Sequence, residues 1–361
     1  MELNMQLFNN FFKNKKVLVT GHTGFKGSWL SIWLNELGAD VTGYALDPKT
    51  GQDNFVVSNL SEKINDVRGD IRDFDKIMKV INNYQPEVIF HLAAQPLVRE
   101  SYRSPRYTYE TNVMGTVNIF EGVKQSNSVK ILVNVTSDKC YKNKEWIWSY
   151  RENEELGGYD PYSSSKACSE LVTAAYQQSF FNPNNFSEHQ VAVASVRAGN
   201  VIGGGDWSED RLIPDCIRAL KNNQVIKVRN PDSTRPWQHV LEPLFGYLKL
   251  AWKLRIEPKK YIGAWNFGPT NHEKITVGQI VDLLIDNWGN GSWESFSKKT
   301  DKHEANLLSL DVTKAIKYLD WKPIFSIRES IQATIEWYKK YPTLSSYQIC
   351  LEQIKKYIKS V

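Results

Sequence analysis

The apolar positions of this chain switch repeatedly between two spacings, and the switching predicts the architecture. Residues 16–20, Lys-Val-Leu-Val-Thr, read as a short buried strand. A tight turn with three glycines follows. Leu30, Ile32, Trp33, Leu34 and Leu37 then recur at helical spacing until Gly38 ends the run. Further strand patterns fall at 41–46, 64–68, 87–92, 130–136 and 191–196. Helix patterns lie between them at 74–84, 105–125 and 161–181. In the first of these Ile77, Met78, Val80 and Ile81 face inward, and Pro86 breaks the run. Residues 1–15 read as a short helix anchored by Leu7, Phe11 and Phe12.

Beyond Arg197 the alternation loosens. Helix patterns are expected at 211–222, 240–254, 276–288, 312–319 and 327–338, and short strands at 225–229, 265–267 and 307–310. The tail 345–361 sets Ile349, Leu351, Ile354 and Ile358 against Lys355, Lys356 and Lys359, which suits a docked terminal helix.

Strands that alternate with helices join through crossovers, which makes the sheet parallel and puts helices on both faces. The predicted fold is α/β: a Rossmann-type doubly wound parallel sheet with a smaller mixed α/β C-terminal substrate domain. Its expected bounds are 1–197 with 238–264 for the dinucleotide-binding part, and 198–237 with 265–361 for the substrate part. Ligands of such a sheet lie at the carboxyl ends of its strands.

Composition narrows the function. Forty-one percent apolar content supports a large core and excludes bulk disorder. The net charge of +5, from 45 basic and 40 acidic residues, is spread along the chain. That disfavours nucleic acid and suits ligands that carry phosphates. Cys140, Cys168, Cys216 and Cys350 show no paired spacing, and the six histidines show no metal spacing, so neither a disulfide framework nor a metal is expected. The start Met1-Glu2-Leu3-Asn4 lacks a leader pattern, and no apolar run approaches the roughly 18 residues of a membrane span. A cytoplasmic protein without membrane contact is expected.

Gly21, Gly24 and Gly27 stand three residues apart between the first strand and the first helix. The first permits the sharp turn, the second lets a pyrophosphate approach the backbone, and the third lets helix and sheet pack closely. The helix N-terminus offers free N–H groups to the anion. Asp47 follows the second strand about 20 residues on, where a ribose hydroxyl is expected, and its charge opposes a 2′-phosphate. The expected cofactor is therefore NAD. Lys26 and His22 lie in the same loop; Lys26 can reach cofactor phosphate or snorkel from the helix.

Tyr162 and Lys166 are four apart on a predicted helix, hence on one face. A lysine beside a phenol favours the phenolate, and Lys166 can also hold the nicotinamide ribose. Alone the pair also fits an ordinary surface. Thr136-Ser137-Asp138-Lys139-Cys140-Tyr141 ends the neighbouring strand, at the edge where chemistry is expected; Ser and Asp there also suit a plain turn. Asn200, Arg211 and Arg235 are candidates for a diphosphate, since arginine matches phosphate bidentately. A salt-bridged Arg211 is an equal alternative. Gln95 and Arg99 follow the strand that ends at Leu92, near the expected sugar, and His91 reads as packed rather than catalytic.

Gly21-x-x-Gly24-x-x-Gly27, Tyr162-x-x-x-Lys166, His91-Leu92-Ala93-Ala94 and Thr111-Asn112-Val113-x-Gly115-Thr116 resemble the extended short-chain dehydrogenase/reductase family over nearly the whole chain. Longer strings, such as Ala94-Gln95-Pro96-Leu97-Val98-Arg99 and Thr234-Arg235-Pro236-Trp237-Gln238-His239-Val240, are similar to its nucleotide-sugar 4,6-dehydratases. The resemblance implies cofactor contacts from Gly21, His22, Thr23, Gly24, Phe25, Lys26, Gly27, Asp47, Asp70, Ile71, Leu92, Ala93, Ala94, Asn112, Tyr162 and Lys166. It implies that Tyr162 takes the proton of the sugar 4-hydroxyl, with Ser137 hydrogen-bonded to that oxygen. Asp138 would protonate the departing 6-hydroxyl after a base removes the C5 proton. Related enzymes on other nucleotide-sugars usually carry glutamate where Lys139 stands, so Lys139 is either that base or a cation for the C5 enolate. The implied partners are a nucleoside-diphosphate glucose and a second copy of the chain, in a homodimer or homotetramer. A 4-epimerase of the same fold needs Tyr162 and Lys166 but not the Asp138-Lys139 pair. A non-catalytic NAD-sensing protein needs neither pair.

Overall fold

Val17, Leu18 and Val19 are almost wholly shielded from solvent, and they lie near the middle of the sheet. The computed structural model describes residues 7–270, 275–296 and 307–361. Strand β1 (Lys16–Thr20) is followed by helix α1 (Phe25–Glu36) and β2 (Asp40–Ala45). Then come β3 (Asn65–Arg68), α2 (Phe74–Tyr84) and β4 (Val88–His91). Two short helices, α3 (Val98–Arg103) and α4 (Pro105–Tyr109), precede α5 (Gly115–Lys124) and β5 (Ile131–Val135). Helix α6 (Pro161–Ser179) leads to β6 (Ala192–Ala198).

These six strands and a later one form a seven-stranded sheet whose pairs are all parallel. β1 sits between β2 and β4, with β3 outside β2 and β5 and β6 beyond β4. The order therefore reverses at the end of β1, which opens a crevice there. Alternate residues separate the two faces. Val17, Val19, Val88, Phe90, Ile131 and Val133 join one apolar cluster; Leu18, Ile89 and Leu132 join the other. The first cluster takes in Trp33, which stacks on Phe245 at 6.2 Å between ring centroids. Fully burying one such side chain contributes roughly 1.5–3 kcal/mol.

The later half crosses between layers. β7 (Val201–Ile202) pairs with β9 (Gln238–His239), and β8 (Ile226–Val228) pairs with β11 (Trp293–Ser295). Helix α7 (Leu212–Lys221) lies between β7 and β8, and α8 (Leu241–Ile256) follows β9. β10 (Gly263–Phe267) is the outer strand beside β6, so the expected boundary after residue 264 falls inside the large sheet. Helices α9 (Val277–Trp288), α10 (Thr313–Leu319), α11 (Ile327–Lys340) and α12 (Ser346–Lys359) complete the described chain. Capping boxes start α9 at Thr276 and α11 at Ser326. Helix α12 docks as expected: the Tyr347 hydroxyl meets Asn35 and Glu36 on α1, and the Tyr357 hydroxyl donates to Glu242 at 2.7 Å.

Several local expectations need correction. Of the helix expected over 1–15, residues 1–6 lie outside the described residues; residues 7–15 hold a single 3₁₀ turn, Leu7–Asn10, whose left-handed Phe8, Asn9 and Asn10 are not helical. Phe8, not Leu7, is its buried anchor beside Phe12. The expected helix over 105–125 contains a π-turn, Glu110–Met114, between α4 and α5. The expected strand over 307–310 is reduced to one bridge, Leu310 to Tyr150. The short strands β7, β9 and β11 carry no periodicity long enough to read.

Candidate active site

At the end of β1 the chain turns through Gly21, whose φ of 77° suits glycine. A Cβ on Gly21 would stand 2.8 Å from the Ala93 nitrogen, and one on Gly27 only 2.1 Å from the Gly21 carbonyl oxygen. Turn, neighbouring loop and helix thus touch backbone to backbone. Gly24 caps α1 without a side-chain hydrogen bond. The first-turn N–H groups of α1 open on one long cleft, also lined by Thr23, Phe25 and Lys26. This bare cradle fits the pyrophosphate of a dinucleotide.

Asp47 lies on the cleft rim, 86% exposed, with an oxygen 3.8 Å from Arg68 Nε. Asp70, Ile71, Leu92, Ala93 and Ala94 line the same stretch. The Asp70 carboxylate is held by Arg72 Nε at 3.1 Å and Nη2 at 2.7 Å. Two expected cofactor contacts are absent from the cleft lining. His22 turns under the sheet: its Nε2 pairs with Asp66 at 2.8 Å, and its ring fills the space that a side chain at Gly43 would take. Burial keeps its pKa below the usual histidine value despite Asp66. Asn112 is buried behind the loop, where it brackets Gln95 N and O at 2.8 and 3.1 Å and donates to Ser165 at 2.8 Å. It shapes the wall rather than touching the interior.

The chemistry-bearing residues converge at the carboxyl end of β5. Asp160 caps α6 by accepting from Ser163 N at 2.9 Å, which fixes the turn that carries Tyr162 and Lys166. The Tyr162 hydroxyl is partnered with Ser137; burial raises it to about 12, and Ser137 pulls the other way. Lys166 Nζ donates to Val135 O at 3.2 Å, and burial brings it down to about 8. Asp138 is 3% exposed. Its Oδ1 accepts from the Ser137 hydroxyl at 3.0 Å, while Oδ2 is buried with no partner among the described residues. A Cβ on Gly199 would lie 3.2 Å from that oxygen, so glycine there leaves it room. Burial raises the Asp138 pKa against Lys139, Ser137 and Lys26. An unpartnered, buried carboxyl oxygen suits a carboxylic acid that keeps its proton. Lys139 and Lys26 line the cleft beside it; burial, then Arg211 and Lys166, bring Lys26 down to about 8.

The five expected substrate residues, Gln95, Arg99, Asn200, Arg211 and Arg235, all line the cleft. Gln95 is committed to its own loop, donating to Leu97 O and Thr108 Oγ1 and accepting from Leu97 N at 2.6 Å. Arg211 takes the salt-bridged alternative, 2.8 Å from Asp206. Sequence reasoning missed Arg229. It lies at the cleft and shares Asp210 with Arg99, at 3.1 and 3.2 Å. Only its place as the last residue of the short strand pattern at 225–229 marked it. The cleft lining mixes arginines and lysines with nearly as many acids, and Arg99, Arg211, Arg229 and Arg235 are its candidates for meeting a phosphorylated ligand.

A doubly wound sheet with a bare phosphate cradle, and a Tyr-x-x-x-Lys pair facing a Ser-Asp-Lys turn, defines a nicotinamide-dependent site of the short-chain dehydrogenase/reductase class. Comparison with known proteins agrees. The family model described as GDP-mannose 4,6 dehydratase matches residues 18–334, and the chain belongs to that family. It is 52% identical to a CDP-glucose 4,6-dehydratase of Salmonella typhimurium over 94% of this chain and 95% of the relative. It is 30% identical to a putative UDP-glucose 4-epimerase of Methanocaldococcus jannaschii, covering 90% and 98%. The solved structure of dTDP-glucose 4,6-dehydratase from Bacillus anthracis in complex with NAD superposes with a TM-score of 0.73 at 23% identity, covering 90% and 97%. Among the described residues no helix is long and apolar enough to cross a membrane, and no acidic or sulfur cluster suits a metal.

Proposed function

We propose that this protein is a hydro-lyase that converts CDP-glucose to CDP-4-keto-6-deoxyglucose with NAD as its cofactor. The observation that carries the reading is Asp138, a buried acid with one free oxygen beside the Ser137–Tyr162 pair. Oxidation at C4 alone has no use for such an acid; loss of the 6-hydroxyl needs one. The identity to a CDP-glucose 4,6-dehydratase supports the cytidine nucleotide.

Gly21, Gly24 and Gly27 hold the cofactor pyrophosphate, and Thr23, Phe25, Lys26, Asp47, Asp70, Ile71, Leu92, Ala93 and Ala94 line its path. When bound, NAD supplies a hydride acceptor for C4, a hydride donor for C6 and a fixed positive charge on the nicotinamide. Tyr162 takes the 4-hydroxyl proton, and Ser137 hydrogen-bonds the same oxygen. Lys166, in its charged form, keeps Tyr162 anionic and orients the ribose. The 4-keto group acidifies C5, Lys139 removes that proton and later returns one to C5 as C6 is reduced, and Asp138 gives its proton to the departing 6-hydroxyl, which leaves as water. Arg211, Arg235 and Asn200 hold the substrate diphosphate, with Arg99 and Gln95 near the sugar. The segments 198–237 and 265–361 serve as the nucleotide-sugar lobe. The four cysteines are free thiols, as a cytoplasmic enzyme of deoxysugar synthesis allows. Tyr109, Met114, Leu171 and Phe180 leave large apolar groups on the α4–α6 surface, which we assign to a homodimer or homotetramer contact.

The test offers CDP-, UDP-, GDP- and dTDP-hexoses to the purified protein and looks for a 4-keto product. The reading expects it from CDP-glucose. A C4 epimer instead would replace dehydration with epimerisation, and no transient nicotinamide reduction with any sugar would leave a binding protein. For Lys139, unchanged exchange of C5 deuterium in Lys139→Met would remove it as the base.

A further inference from the structure

The segment Thr136–Tyr141 carries Ser137, Asp138 and Lys139 between two residues, Thr136 and Tyr141, to which the proposed reaction gives no task. Both ends are fastened to one buried ion pair. Glu170 lies on α6 one turn beyond Lys166, and Arg197 lies on β6; each side chain is 3% exposed. The Glu170 carboxylate receives Arg197 Nε at 2.9 Å and Nη2 at 2.8 Å, a two-point match. It also receives the Ser195 hydroxyl at 2.7 Å and the Thr136 hydroxyl. The remaining Arg197 nitrogen, Nη1, donates to the Tyr141 hydroxyl at 2.7 Å and to Glu152 O at 3.0 Å. The Tyr141 hydroxyl in turn donates to Asn266 Oδ1 at 2.8 Å. The guanidinium also lies 4.8 Å from the Tyr141 ring centroid.

Tyr162 and Lys166 ride on the same helix as Glu170 but have their own supports, the Asp160 cap and Val135 O. The turn with Asp138 and Lys139 meets α6 directly where Ser137 pairs with Tyr162, and Thr136 and Tyr141 fasten its two ends through the Glu170–Arg197 pair. A buried pair whose donors and acceptors are this fully used fixes geometry as well as adding stability.

We propose that Glu170 and Arg197 are positioning residues for the elimination half of the reaction. Through Thr136 and Tyr141 they hold the Asp138-Lys139 turn in register with Tyr162. The proposal rests on the dehydratase reading. Its consequence is uneven: loosening either end of the turn slows loss of the 6-hydroxyl more than oxidation at C4. Small displacements of reacting groups can cost on the order of a hundredfold in rate.

The experiment is single-turnover kinetics with CDP-glucose and holoenzyme in excess. It follows the rise of reduced nicotinamide for C4 oxidation and formation of the 4-keto-6-deoxy product for elimination, alongside Tm. Tyr141→Phe and Thr136→Val each delete one hydroxyl, and Glu170→Gln deletes the pair. The expected result is product formation slowed by about tenfold or more, with the reduced-nicotinamide rise close to wild type and KM unchanged. Should Glu170→Gln fail to fold, the two hydroxyl deletions carry the test. Equal slowing of both phases, or a lower Tm with the ratio of phases unmoved, overturns the proposal and leaves the pair a fold stabiliser. A wild-type protein that forms no product from CDP-glucose overturns the dehydratase reading itself, and the proposal falls with it.

Discussion

Replacing Asp138 with asparagine tests the assigned acid with little change of shape. Asp138 is buried, accepts from Ser137 through Oδ1 at 3.0 Å, and keeps Oδ2 free beside Gly199. Asparagine fits that volume, keeps the Ser137 hydrogen bond and cannot supply a proton for a leaving hydroxide. Burial raises the Asp138 pKa against Lys139 and Ser137, which favours the protonated acid. The substitution keeps the volume and the Ser137 hydrogen bond, and stability should change by about 1 kcal/mol. A positioned general acid contributes about 10²–10⁴ in rate, or roughly 3–5 kcal/mol on the barrier. Tyr162 and Lys166 are untouched, so C4 oxidation continues and elimination stalls. Stopped-flow absorbance after mixing with CDP-glucose should show reduced nicotinamide rising and persisting, while product appears about 10²–10⁴ more slowly. Wild-type turnover in Asp138→Asn would refute the reasoning. So would a loss of turnover without build-up of reduced cofactor, because the lesion would then precede elimination.

Other expectations follow from named contacts. Gly27→Ala drives a methyl against the Gly21 carbonyl 2.1 Å away; overpacking of about 1–3 kcal/mol should lower Tm, and titration of NAD should show at least about tenfold weaker binding. Lys166, brought down to about 8 by burial, loses its charge as pH rises through that value. Cofactor affinity should fall across the same window, and the fall should vanish in Lys166→Arg, which stays charged. His239 is buried with Nε2 unpartnered among the described residues, and its pKa is lowered to about 3 by desolvation. Its folded value is depressed, so its contribution is present above pH 6.5 and is lost as pH falls toward 3. Between pH 7 and 5 that loss is about 2 kcal/mol. Urea unfolding of His239→Asn should show an acid sensitivity smaller than wild type by that amount. Glu242, held up at about 7 by burial, acts in the opposite sense, but it is common to both proteins and cancels in the difference.

Much of the sheet was readable because apolar strand patterns alternate with helical periods, and several are bounded by glycine or proline. Pro86 before β4 and Gly38 before β2 are examples. The glycine loop was equally legible, since close backbone contact leaves glycine little alternative at Gly21 and Gly27. His22 and Asn112 were misplaced for one reason: adjacency to a loop in sequence does not say which side of the loop a side chain takes. His22 follows Gly21 by one residue yet points to Gly43 and Asp66. The Glu170–Arg197 pair was invisible because its members come from different elements, 27 residues apart, and neither stands in a motif. Arg229 was missed because its partner Asp210 is 19 residues away and arginines on loops are usually solvated.

The central claim is that electrons taken from C4 of the sugar return to C6 of the same molecule. CDP-glucose carrying deuterium at C4 tests it directly, with the product read by mass spectrometry and proton NMR. The account predicts one deuterium at C6 of the 4-keto product, including when unlabelled substrate is mixed in. Deuterium recovered in free reduced cofactor or in water, with none at C6, would contradict it.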